Sequence, residues 1–438
     1  MIAATVPKPR GSTTPTSIVA MTCRLVFEGG VSLRSVPRVM QSIVAWLRSE
    51  MGLMLHGVVR HWSTGRWWLL RLGYAALTER KVVAEDWVYL IDHTVQIGPQ
   101  KCFLVLGFRL SEVRWEGRGL RHRDLQALAV VPMMHATGKA VEAELQTAAC
   151  RTGVPRAILS DRGTDVKTGV EGFCQAHPQT AMIYDIAHKA ACLLKQRFER
   201  DPRWSTFVKH LGQTKFRLQQ TELAYLVGPS LRPKARYMNL GPVLRWARLT
   251  LGLLDRTPDT SPQRPRLEEK IGWLGDYREA LEAWLGYYET AQTAIRFVRR
   301  NGLYLGAAQE LAAAWRPEAN SAQTASLAEE LQAFVAEQSQ RLRPGERLPG
   351  STEVLESCQG KWKALERQQA TQGFTGLLLA LPALLRDWSE PQIFNALRRV
   401  PTRAVRDWCR RYLGVSTTAQ RRLAYAPIGC KQMSDECK

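Results

Sequence analysis

Trp87-Val-Tyr-Leu-Ile-Asp-His-Thr94 and Ala157-Ile-Leu-Ser-Asp-Arg-Gly-Thr-Asp165 are the stretches whose reading decides the fold. Each opens with a short apolar run rich in β-formers and then meets an aspartate. Each therefore predicts a buried strand with a carboxylate just past its end, Asp92 in one and Asp161 in the other. A carboxylate there stands on rigid backbone at a sheet surface, which is what a metal ligand requires. Gly163 permits a sharp turn beside Asp161. Singly, an aspartate after a strand is more often a turn former or a helix cap, so the weight rests on the two together.

Around these runs the pattern is that of a sheet. Cys102-Phe-Leu-Val-Leu-Gly-Phe108 predicts a second strand, joined to the first through Gly98-Pro99-Gln100 as an antiparallel hairpin. A third run spans Leu125 to Val131. A helix follows from about Thr137 to Thr152, stopped by Gly153 and Pro155, and Ala181-Met-Ile-Tyr184 gives another strand before a helix from Ile186 to Glu199. Three hairpin-type strands followed by strand and helix alternation make an α/β protein, a mixed sheet covered by helices. Beyond Asp201 the apolar residues Ile271, Leu274, Leu281, Trp284, Leu285, Tyr288, Ile295 and Val298 recur mostly at helical steps, as do Leu327, Leu331, Phe334 and Val335. This predicts a helical domain of roughly 150 residues, within the usual domain size. Pro344, Gly345, Pro349 and Gly350 close it.

The chain has 438 residues with 61 Lys and Arg against 40 Asp and Glu, a net charge of +21. Such a balance favours a polyanionic partner, nucleic acid first, because neutralised phosphates release condensed counterions. The longest apolar run, Thr375 to Leu385, contains Pro382 and is too short for a bilayer span, so no membrane is expected. Nine cysteines, never spaced C-x-x-C, support neither a disulfide framework nor a zinc finger. The first 22 residues lack the apolar stretch of a secretory signal. A cytoplasmic, nucleoid-associated location is expected.

Near the amino end, the Pro, Thr and Ser content up to Pro15 predicts a disordered lead. Ser32 then caps a helix through Val36, Val39, Met40, Ile43 and Leu47, and a second helix from Thr64 to Leu72 ends on Gly73 as a left-handed cap. Two short helices with a turn suggest a helix-turn-helix. Residues 1–82 carry eleven Lys or Arg against three acids. A plain helical cap with a solvated basic face reads equally well.

A pair of hard divalent ions needs more oxygen ligands than two aspartates supply. The best further source is Ser351-Thr-Glu-Val-Leu-Glu-Ser-Cys-Gln-Gly-Lys-Trp-Lys363, a predicted helix with Glu353 and Glu356 spaced i,i+3. Locally the same acids read as ordinary residues of a helix first turn, favoured by its dipole.

The two aspartate motifs resemble the first- and second-aspartate strands of RNase H-like transposases and integrases. The Ser351 to Ser357 stretch with Lys361 and Lys363 is similar to the glutamate-bearing helix of bacterial insertion-sequence transposases. This DDE-type resemblance implies an RNase H-like fold and three acids, Asp92, Asp161 and Glu356 with Glu353 as runner-up, holding magnesium, with manganese as a substitute. It covers residues 84–200 and about 346–370. Between Asp161 and Glu356 lie 195 positions, explained by an all-helical insertion as in hAT-like transposases. Asp185-Ile-Ala-His188 resembles an element of that group that handles DNA near the scissile phosphate, although a lone His opening a helix is usually a cap or a carboxylate partner. The layout implied is 1–30 disordered lead, 31–82 helix-turn-helix-like segment, 83–200 first part of the core, 201–345 all-helical insertion, and 346–438 last core helix with basic carboxy-terminal helices.

Contacts to double-stranded DNA, at transposon ends and target, are then expected from Arg60, Arg66 and Arg71 in the amino-terminal helices, from Asp185, His188 and Lys189, and from Arg232, Lys234, Arg236, Arg296, Arg299 and Arg300 in the insertion, with Lys361 and Lys363. Synapsis of two ends implies a homodimer or higher oligomer. The alternatives are an RNase H-like structure-specific nuclease, which would hydrolyse without strand transfer, and a catalytically inactive, transposase-derived DNA-binding protein.

Overall fold

The run that begins at Trp87 becomes the middle of a sheet because apolar side chains cover both of its faces. In the computed structural model, which describes residues 14–52, 60–231, 236–315, 322–368, 374–414 and 417–426, five strands form one mixed sheet. They are β1 (Trp87–Ile97), β2 (Gln100–Arg109), β3 (Gln126–Met133), β4 (Ala157–Ser160) and β5 (Ala181–Tyr184), in the order β3-β2-β1-β4-β5. β1 is antiparallel to β2 and parallel to β4, with Val88, Tyr89 and Leu90 opposite Ala157, Ile158 and Leu159. Residues 87–91 are buried without alternation, as expected of a strand covered on both sides.

β1 does not stop at Ile91. It continues through Asp92, opposite Leu104, to a bulge at Val95, so Asp92 lies inside a strand whereas Asp161 follows the end of one. The polar residues after Ile91 stay in the strand because β2 supplies a continuous ladder of partners, and local composition carries no record of that partner.

The chain forms two compact units. One comprises Met1–Arg114, Leu120–Met182 and Thr352–Lys438, and includes most of the sheet. Its amino-terminal part has α1 (Thr16–Phe27), α2 (Val36–Met51), α3 (Trp62–Thr78), α4 (Gly138–Thr152) and α5 (Thr164–Ala176). α1 falls where a disordered lead was expected. Val19, Cys23 and Val26 give it a buried stripe at helical spacing, enough apolar surface to offset the ordering cost. Trp87, Tyr89, Ile91, Phe103, Val105 and Ile158 share a core cluster with Val141 and Leu145 of α4 and Val166, Val170 and Phe173 of α5. Side chains alternate along a strand, so Val88, Leu90 and Asp92 turn to the other face.

α3 passes through Gly73 instead of ending there. Gly73 is a glycine of close approach: an added Cβ would stand 1.4 Å from the carbonyl oxygen of Leu379. The end of α3 is closed by cations. Arg399, Lys81 and Arg151 donate to the carbonyls of Ala75, Ala76 and Leu77, groups left without helical partners in the last turn.

The second unit, Trp115–Gly119 with Ile183–Ser351, is helical. It has α6 (Ile186–Arg200), α7 (Pro202–Leu218), α8 (Gly241–Arg256), α9 (Arg264–Ile271), α10 (Arg278–Asn301), α11 (Ala307–Ala314) and α12 (Ala322–Ser339). α6, assigned from sequence to the core, belongs to this unit. The unit is organised on a cluster of aromatics packed edge to face, with Trp284 at 5.0 Å from Trp204 and 5.2 Å from Phe207 between ring centroids. The return to the first unit brings α13 (Glu353–Glu366), α14 (Ala380–Leu384), α15 (Glu390–Arg399), α16 (Thr402–Leu413) and α17 (Thr417–Tyr425). The described chain is 63% helical in all.

Gly73→Ala forces a methyl onto a backbone carbonyl that cannot step aside, and should lower unfolding free energy by about 3 kcal/mol or more. Gly212→Ala in α7, where nothing lies within 4 Å of the added Cβ, should be neutral or stabilising by up to about 1 kcal/mol. Urea unfolding of both variants checks the pair.

Candidate active site

The parallel pairing of β1 with β4 sets the site. The ladder between the two strands runs to Leu90 and Leu159, so Asp92 and Asp161 each stand two residues past the last paired residues, and strand alternation directs Asp92 to the face of Leu90. Asp92 Oδ1 accepts from the backbone N–H of His93 at 2.6 Å, and its Oδ2 accepts from the side-chain amide of Gln359 at 2.8 Å. Asp161 Oδ1 accepts from the N–H of Gly163 at 2.9 Å, which holds the turn after β4. Among the described residues, Val95 at φ 47° and Arg162 at φ 60° are the non-glycine residues with left-handed backbone. One lies three positions after Asp92 and the other directly after Asp161. Strain of about 1–3 kcal/mol per such residue persists only where surrounding structure imposes it, and it clusters at functional sites.

α13 packs against β1. Its buried stripe of Leu355, Cys358, Trp362 and Leu365 fixes its roll, and the indole N–H of Trp362 donates to the carbonyl of Leu377 at 2.8 Å. That roll presents Gln359, itself 6% exposed, to Asp92. Glu356 is exposed and three positions earlier, about 60° around the helix and with its Cβ roughly 5–6 Å from that of Gln359. Glu353 is half-buried at the first position of α13, about 120° from Gln359, so Glu356 is the nearer of the two acids.

By donor chemistry the site suits a hard divalent ion, with two aspartates on adjacent strands and a glutamate one turn from the residue that touches Asp92. It is not drawn together as a cage. Among the described residues, no group of three or more His, Cys, Asp or Glu side chains is arranged to hold a metal ion.

On the opposite face of the sheet stands a set of residues that sequence reading left without a role. His93 Nε2 lies 3.0 Å and Lys101 Nζ 2.7 Å from Oδ2 of Asp165, the last residue of the second aspartate motif. The Lys101 contact is a hydrogen bond, whereas the His93 contact is close but poorly aligned for one. Burial pushes the Asp165 carboxyl up, but the Lys101 hydrogen bond and the His93 and Lys101 charges outweigh it and hold it below the usual range. Burial lowers the His93 imidazole, and Asp165 only partly restores it. A polar Gln359 within an otherwise apolar stripe and a Lys101 opening an apolar strand were the available signals.

The expected DNA contacts divide. Arg71 does not face solvent: it is 8% exposed, its Nε donates to the carbonyl of Val400 at 2.7 Å, and it also donates to Leu397. It is a structural tie because α3 runs on through Gly73 and turns Arg71 inward. Arg66 is half-buried, its guanidinium pKa lowered by desolvation, and Arg60 donates to Thr14. Asp185 caps α6 by accepting from the N–H groups of Ala187 and His188, with His188 Nδ1 3.8 Å from its other oxygen. Lys189 lies over the ring of Phe334. Arg296, Arg299 and Arg300 are exposed on α10; Lys361 is exposed and Lys363 half-exposed on α13. Arg232, Lys234 and the side chain of Arg236 fall outside the described residues.

Compared with known proteins, the chain matches no described family and no curated protein sequence.

The lowered His93 pKa carries a sign. Below the ordinary imidazole value of about 6.5, the unfolded chain takes up a proton that the folded chain resists, so folding stability falls on acidification through that range. His93→Gln should flatten the pH 7 to pH 5 segment of the stability profile relative to the unsubstituted chain, as read by denaturant unfolding. Equal slopes would remove His93 as the source.

Proposed function

We propose that the chain is a DDE-type DNA transposase with an RNase H-like core, cutting and rejoining phosphodiester bonds at transposon ends. The observation that carries the reading is the parallel pairing of β1 with β4, whose register, carried two residues on from Leu90 and Leu159, would bring Asp92 and Asp161 side by side, with Gln359 of α13 on Asp92. Three antiparallel strands with β4 then added parallel beside β1 suit such a core. A net charge of +21 supports a polyphosphate substrate.

Asp92, Asp161 and Glu356 would hold magnesium, or manganese in its place, and the metal would supply Lewis-acid activation of the phosphoryl oxygen and of the attacking hydroxyl. Within the chain, Gln359 and the His93 N–H fix the Asp92 carboxylate, and the Gly163 N–H fixes Asp161. Phosphate contacts fall to Arg60, Arg66 and the exposed cations Arg296, Arg299, Arg300, Lys361 and Lys363. Asp185, His188 and Lys189 remain candidates for the strand near the scissile group. Residues 31–82 would serve as the helix-turn-helix, and synapsis of two ends calls for a homodimer or higher oligomer. No described helix is long and apolar enough to cross a membrane. A cytoplasmic, nucleoid-associated location belongs to the same proposal.

One observation favours a second reading. Where catalysis would place a third carboxylate against Asp92, the side chain in contact is an amide, which suits a catalytically inactive DNA-binding descendant.

Nicking of supercoiled plasmid in magnesium or manganese separates the two. The transposase reading expects nicking that falls at least about a thousandfold in Asp92→Ala, Asp161→Ala and Glu356→Ala, survives in Glu353→Ala, and leaves DNA affinity within about twofold, since binding is spread over many cations. Full nicking by Asp92→Ala would remove the carboxylate from the chemistry. Tight, salt-dependent binding with no metal-dependent nicking would favour the inactive descendant.

A further inference from the structure

A polar cavity lies in the first unit, built by residues with no part in holding the aspartates. It has a volume of about 210 Å³ and is walled by Arg24 and Glu28 at the end of α1, His122 and Arg123 on the short helical turn His122–Asp124, Lys361 on α13, and Arg386, Asp387 and Trp388 after α14. Five of these side chains are cationic or can become so, against two carboxylates. The cations are only partly neutralised. Arg123 pairs with Asp387 at 3.0 Å, and Arg386 pairs with Glu79, outside the cavity, at 2.7 Å. Among the described residues Arg24 and Lys361 have no carboxylate partner in an ion pair, although Glu28 lies in the same wall.

The Lys361 ammonium is instead aimed at an imidazole. Its Nζ stands 3.0 Å from Nε2 and 3.4 Å from Nδ1 of His122. Two groups that both carry a positive charge once His122 is protonated repel at that distance unless an anion held against both offsets the repulsion. We propose that this cavity is a binding site for a phosphoryl group, held by Lys361, Arg24 and His122, with Arg123 and Arg386 completing the rim. The ligand is either a nucleic-acid backbone phosphate or a small free phosphate. The site stands whether or not the chain cuts DNA: the donors that hold Asp92 and Asp161, namely His93, Gln359 and Gly163, do not line this cavity.

The site has a readable signature. Burial depresses the His122 pKa, and Lys361 and Arg123 depress it further against the opposing pull of Asp387 and Asp124. An oxyanion bound against the ring reverses that balance, so binding and protonation of His122 reinforce each other.

The test uses the full chain with inorganic phosphate and with sulfate, whose charge is constant between about pH 5 and 8. Calorimetry and thermal unfolding at matched ionic strength in chloride are expected to show a phosphate- and sulfate-specific interaction. It should weaken at least about tenfold in Arg24→Gln/Lys361→Gln, two exposed positions whose replacement leaves the anion-free melting temperature unchanged. Sulfate binding should tighten from pH 7.5 to pH 5.5 in the unsubstituted chain and not in His122→Gln. A short duplex then identifies the source. If the double variant also loses duplex affinity and salt slope, the ligand is backbone phosphate. Unchanged duplex affinity with lost phosphate binding assigns a small phosphate. No anion-specific binding over chloride, or binding indifferent to Arg24 and Lys361, overturns the site.

Discussion

Everything in the first unit that bears on chemistry depends on one constraint, the parallel register of β1 against β4. A strand repeats its side-chain direction every two residues, so a slip of one residue would send Asp161 to the face occupied by α4 and α5 while Asp92 stayed behind. The register is held by burial on both sides: Tyr89 and Ile158 lock one face into the α4 and α5 core, and Leu90 and Leu159 are wholly buried on the other. In the proposed site the carboxylates would take their places from apolar neighbours two residues away.

The same sheet separates two kinds of charged group. Asp92 and α13 occupy one face, where the Asp92 carboxylate accepts from the His93 N–H and the Gln359 amide. His93, Lys101 and Asp165 occupy the other, where the carboxylate is bound by the Lys101 ammonium with the His93 imidazole beside it. A carboxylate neutralised by lysine has little left to offer a metal, whereas one held by amide N–H groups keeps its full charge. That contrast separates the role proposed for Asp92 from the role of Asp165, although both belong to the quoted motifs.

Much of the sheet was legible before the structure, because buried strands leave unbroken apolar runs and their stops are glycine and proline. β2, β4 and β5 and the helices after β3 and β5 fall within a residue or two of their expected bounds. α5 was not read, since Gly169 and Gly172 interrupt its pattern. Gly169 is required because an added Cβ would meet Val141 of α4 at 2.6 Å, a tertiary requirement invisible in composition. Gly73 misled for the same reason, read as a helix stop when Leu379 demands it. In the site, both aspartates were readable from their strands, and Gln359 was not. An amide on a buried stripe acquires meaning only when the helix is known to lie against β1. Arg71 shows the converse: a cation in a basic segment was taken for a phosphate ligand, and the fold spends it on two backbone carbonyls.

The central claim is that Asp92 and Asp161 act as a pair toward a divalent cation. Manganese binding followed by electron paramagnetic resonance, with the free ion counted as metal is titrated into the unsubstituted chain, Asp92→Asn and Asp161→Asn, addresses it without any reaction. The account predicts a saturable site in the unsubstituted chain that either asparagine variant weakens by at least about a hundredfold, with native unfolding curves in both. Manganese affinity equal in all three proteins, or absent in all three, would contradict it.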